Sequence, residues 1–204
     1  MGMTIVSMRD VLALPNLAQN SARQVILTFD DGYRNNLLEA LPVLEAEQCP
    51  ATVFVLPGRF AGTNAWDQGH LPEVERDQLM TLDEMKTLAQ SPYITLGSHG
   101  MLHRDMTQLA DDDIRFELQE SHRILSESFG DAYLPVFAYP WGNYSQRVVE
   151  LMQDSPYHYA FTVETAQWQP GCNPYRVPRY SAYYRDGNPA VLIAKLLRHK
   201  LLFA

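Results

Sequence analysis

Short apolar runs rich in β-branched residues alternate along this chain with segments of helical period. That alternation limits the fold more than any other feature. The first run is Val25-Ile26-Leu27-Thr28-Phe29, closed by Asp30-Asp31-Gly32. A second covers residues 51–56 and stops at Pro57-Gly58. Further strands are predicted over 93–96, 136–139 and 159–163. Helical spacing appears over 35–48, where Pro42 predicts a kink or a fresh start. Thr81 followed by Glu84 predicts a capping box that opens a helix to about residue 90. The longest helical pattern covers 111–129, with three aspartates in its first turn and Gly130 after its end. Helices are also predicted over 145–153 and 188–203, with Pro189 in the first turn of the last. Residues 175–183 read as extended. Residues 58–80 read as a long surface loop of the kind that shapes a substrate groove.

Strands that alternate with helices imply an α/β fold with a mostly parallel sheet. The chain has 204 residues, 46% of them hydrophobic, which predicts one core and one domain over 1–204. The formal net charge is -8, and no basic stripe stands out, which argues against a nucleic-acid partner. No run reaches the roughly 18 apolar residues of a membrane span. Arg9 and Asp10 interrupt the N-terminal apolar stretch, so no signal-peptide core is read there and a cytoplasmic location is expected. Cys49 and Cys172 lie in no C-x-x-C pair and read as two thiols.

Chemistry-bearing residues follow the first, third and fourth of these strands, at the sheet edge where α/β sites form. Asp30 and Asp31 are adjacent carboxylates, and a turn can aim both into one cup. In isolation the same letters make an ordinary Asp-Asp-Gly turn that caps its own amides. His99 and His103 are four apart, so one helical turn would put both rings on one face, as a metal requires. In isolation they read as one core and one surface histidine. One carboxylate and two imidazoles hold a divalent ion, and the second carboxylate is left for proton transfer. Trp141 reads either as a turn-plugging aromatic or as a backbone N–H and flat ring beside a sugar. His70, His122, His158 and His199 have no ligand spacing.

Three blocks in order then carry a resemblance: Thr28-Phe29-Asp30-Asp31-Gly32, Ser98-His99 with His103, and Phe137-Ala138-Tyr139-Pro140-Trp141-Gly142. Together with Leu41-Pro42-Val43-Leu44 and Pro50-Ala51-Thr52-Val53-Phe54-Val55, they resemble the polysaccharide deacetylase family, also called NodB-homology or carbohydrate esterase family 4. The resemblance covers residues 25 to about 180. It implies a distorted (β/α) barrel with fewer than eight strands. It implies Asp30 as general base and Asp31, His99 and His103 as metal ligands. It implies zinc as the metal, with cobalt, nickel or manganese as substitutes, and Trp141 as backbone donor to the oxyanion. The third block lacks the arginine that many members pair with the base, and has the F-A-Y-P form of a subgroup. Arg179 is the first candidate for that place and Arg176 the second, with solvated surface charge as the competing reading. Leu197-Arg198-His199 carries the letters of the family's terminal general-acid block, yet lies in a helical pattern, so the acid is left unassigned.

The expected function is therefore metal-dependent removal of N-linked acetyl groups, or O-linked ones, from an acetylated carbohydrate. Two alternatives stand beside it. One is a cytoplasmic hydrolase of a small amide, such as a formyl amino sugar or a ureide. The other is a catalytically silent carbohydrate-binding module.

Overall fold

The computed structural model describes residues 3–13, 24–67, 78–169 and 171–182. Five parallel strands form its centre: β3 (Leu27–Phe29), β4 (Ala51–Val55), β5 (Ile94–Ser98), β6 (Tyr133–Ala138) and β7 (Tyr159–Phe161). They lie side by side in chain order and curl into part of a barrel, as the resemblance implies. Helices make each crossover: α2 (Leu41–Ala46), α3 (Leu82–Leu88), α4 (Asp111–Phe129) and α5 (Gln146–Gln153). A small parallel pair, β1 (Thr4–Ile5) with β2 (Gln24–Val25), sits apart from the five.

Side-chain alternation explains the two cores. Val53 and Val55 of β4, Phe137 of β6 and Ala160 of β7 meet the helical layer, with Leu88, Leu118, Val148 and Met152. Phe54, Val136, Ala138 and Phe161 point the other way, into a second cluster with Val177 and Met8. β4 and β5 are buried at every position, and in β4 this leaves a run from Ala51 to Val55 that only Thr52 interrupts. Gly97 lets the sheet close up here. A Cβ on it would come within 2.7 Å of the Phe54 ring.

The helix signals act as predicted. Thr81 Oγ1 accepts from Glu84 N–H at 3.1 Å, and Glu84 Oε2 accepts from Thr81 N–H at 3.0 Å. Gly130 caps α4 with a positive φ of 49°. The predicted break at Pro42 takes a definite form: Asn36–Ala40 is a wide π-helical turn, and α2 starts beside the proline.

Three expectations are corrected or fall outside. The run at 25–29 is split at Ile26 between β2 and β3. α1 (Met8–Ala13), six residues long, is unread in the sequence because a helix so short is held by tertiary contacts rather than by its own propensity. Its Met8 is 1% exposed, and Arg9 donates to Asp131 O at 2.7 Å. The helix expected over 188–203, and the middle of the loop expected over 58–80, lie outside the described residues.

Candidate active site

Each residue of the site follows the C-terminal end of a strand. Asp30 and Asp31 leave β3, His99 leaves β5, and Tyr139-Pro140-Trp141 leaves β6. Arg179 follows Val177, which bridges to Phe161 at the end of β7. The chain turns sharply at these exits. Among the described residues, five non-glycine residues have positive φ, and three of them are Asp31 (71°), His103 (55°) and Trp141 (53°). Such backbone costs about 1–3 kcal/mol per residue and persists where the surroundings enforce it, commonly at functional sites.

The structure brings Asp31, His99 and His103 together. One ligand atom from each lies within 4.8 Å of the others. Asp31 Oδ1 is 3.4 Å from His99 Nε2 and 3.2 Å from His103 Nε2. The two imidazoles do not share a helical face, as their spacing had suggested. Residues 99–103 form a loop with left-handed turns at Gly100 (φ 84°) and His103, and this loop folds the second ring back toward the first.

The donor set fits a cation. His99 Nδ1 is 2.7 Å from Ala138 O, and a carbonyl only accepts, so Nδ1 carries the proton. Burial holds the His99 pKa below the ordinary histidine value, against the pull of Asp30 and Asp31. The neutral ring therefore turns the lone pair of Nε2 toward a carboxylate oxygen. Asp31 Oδ1 is itself buried and finds no hydrogen-bond partner among the described residues. Acceptors aimed at one another in a buried cup call for a positive ion between them.

Asp30 faces the opposite situation. Arg179 donates to both its oxygens, Nη1 to Oδ1 at 2.7 Å and Nη2 to Oδ2 at 2.8 Å. Arg179 is held in turn by Thr162 O, which accepts from Nε at 2.9 Å, and its guanidinium lies over the Phe54 ring. Burial pushes the Asp30 carboxyl up. The Arg179 charge and hydrogen bonds, with the two histidines, outweigh it and leave the pKa below the ordinary aspartate value. Arg176 points elsewhere. It donates to Gln146 Oε1 and lies over the Tyr144 ring.

Aromatic rings wall the histidines. Trp66 stacks on His103 at 4.2 Å between centroids, and the Trp141 ring meets the same imidazole edge-on at 4.3 Å. Trp141 is 44% exposed, so part of its ring remains open to solvent. Trp66 was missed in the sequence, where its one mark is a lone tryptophan in a polar loop. Leu197-Arg198-His199, which carries the letters of the family's general-acid block, lies outside the described residues.

Comparison with known proteins matches residues 18–160 to the polysaccharide deacetylase family. YxkH of Bacillus subtilis (strain 168), a candidate polysaccharide deacetylase, is 27% identical over 144 residues, which are 71% of this chain and 46% of that protein. The poly-beta-1,6-N-acetyl-D-glucosamine N-deacetylase of Escherichia coli (strain K12) is 34% identical over 79 residues, 38% of this chain and 12% of that enzyme. The chain thus spans less than half the length of these relatives. The Streptococcus pyogenes deacetylase PplD, solved in complex with acetate, has the same fold, with a TM-score of 0.76 at 22% identity over 95% of this chain and 79% of that one.

Proposed function

The chain belongs to the polysaccharide deacetylase family, and from that premise we propose that it is a metal-dependent hydrolase that removes acetyl groups from the amino sugars of a carbohydrate polymer. One observation carries the reading: an Asp-His-His triad within 4.8 Å, next to a second aspartate held bidentately by an arginine. The name of the Escherichia coli relative supports N-acetylglucosamine as the sugar.

In this reading Asp31, His99 and His103 would hold a divalent ion, with zinc the best match to two imidazoles and a carboxylate. Such an ion supplies an acidified water and positive charge for the oxyanion. Asp30 takes the proton of the attacking water. Arg179 keeps Asp30 ionised and fixes its direction, and the lowered pKa makes Asp30 a weak base, suited to a water already made acidic. The Trp141 backbone N–H donates to the oxyanion, a contribution worth about 3–4 kcal/mol in comparable sites. The C–N bond then breaks, and Asp30 returns its proton to the leaving amine.

The test is acetate release by the purified protein from N-acetylglucosamine oligomers, with and without chelator. Release that chelator stops and zinc restores is expected. No release with zinc, cobalt, nickel or manganese, or release that chelator leaves untouched, would overturn the reading. Turnover confined to formyl amides or ureides would move the substrate class.

A further inference from the structure

α4 carries a carboxylate on its apolar stripe. The buried residues of this helix are Ile114, Glu117, Leu118, Ser121, Leu125 and Phe129, and Glu117 is the charged one, at 1% exposure. Burying a carboxylate is costly unless it is fully partnered. Among the described residues, the partners of the Glu117 carboxylate belong to the loop between the two histidines and its continuation. Oε2 accepts from Met101 N–H at 2.6 Å and from Leu102 N–H at 3.2 Å. Oε1 accepts from Arg104 Nε at 2.8 Å. The loop's carbonyls are tied on the other side: Met101 O accepts from Gly58 N–H at 3.1 Å, and Leu102 O from the Arg59 guanidinium at 3.3 Å. Gly100 completes the fit. Its φ is 84°, and a Cβ there would sit 3.0 Å from Glu117 Oε2.

We propose that Glu117 is a positioning residue of the metal site: by gripping Met101 and Leu102 it sets the path of the 99–103 loop and so aims His103 at Asp31. This rests on the triad reading above. The physical case is one of strain. His103 sits at positive φ, and its buried Nδ1 has no hydrogen-bond partner among the described residues. His99 has a ring hydrogen bond to Ala138 O, whereas among the described residues His103 is held through the backbone before it.

The experiment is zinc affinity by chelator competition and the visible absorption of the cobalt-loaded protein, for the parent and for Glu117→Gln. Glutamine keeps the shape but cannot accept from two amides and the arginine together. Zinc affinity should fall about 10- to 100-fold, the range for losing a group behind a metal ligand, and the cobalt bands should shift. Should Glu117→Gln fail to fold, the double variant Arg104→Met/Glu117→Met removes both charges with little change in volume and should show the same loss. Parent-like affinity and cobalt bands in the folded variant would overturn the proposal. A parent that binds no zinc would overturn the triad reading itself.

Discussion

Asp30 and Asp31 are neighbours in the chain and differ in almost everything their carboxylates touch. Both oxygens of Asp30 are taken by Arg179. Oδ1 of Asp31 has no donor among the described residues and faces two imidazole nitrogens instead. The positive φ of Asp31 makes the division, because it swings the second carboxylate away from the arginine and toward the histidines. Identical side chains one residue apart thus meet a guanidinium in one case and two imidazole nitrogens in the other. Neighbours, more than residue type, assign the chemistry.

Breaking the Asp30 side should have the largest effect. Asp30→Asn should lower acetate release about 10²- to 10⁴-fold, the usual contribution of a general base. A loss under tenfold at saturating metal would remove Asp30 from that role. Arg179→Met should cost less, roughly 10²-fold, as the reacting carboxylate loses its alignment. Its diagnostic is the pH profile. The arginine holds the Asp30 pKa down, so without it the acid limb of kcat/KM moves to higher pH, and an unmoved limb would separate the pair from catalysis. The same depression has a stability sign. Its contribution is present above the ordinary carboxylate value of 3.8 and is lost as pH falls through the lower folded value. Arg179→Met should therefore flatten that part of the acid-unfolding curve. The smallest effect belongs to a site outside the contrast. Thr81→Ala removes the cap of α3 and should cost about 1 kcal/mol, a fall of about 2–4 °C in Tm, with turnover unchanged.

The same contrast separates what the sequence reveals from what it conceals. The strands that carry the aspartates and His99, β3 and β5, flank β4, which was legible because burial on both faces leaves it a nearly continuous apolar run. Asp30, Asp31, His99 and His103 sit in short local blocks, so their letters announced a cluster, although the helical face expected for the two rings is a left-handed loop instead. Arg179 is 149 residues from Asp30, and the third block lacks the arginine that would mark the pairing, so it could be named only as one of two candidates. It forms because Val177 bridges to β7 and brings the next turn of chain over the strand ends. Glu117 was hidden among the acidic residues of α4, though its place one residue before Leu118 on the buried stripe is a mark that helical spacing can reveal.

The division between the two aspartates is tested most directly by measuring zinc bound to Asp30→Asn and to Asp31→Asn against the parent. Asp30→Asn should bind one zinc per chain with an affinity close to the parent's, while Asp31→Asn should lose binding by orders of magnitude. Equal losses in the two variants, or parent-like binding in Asp31→Asn, would contradict the assignment of base and ligand.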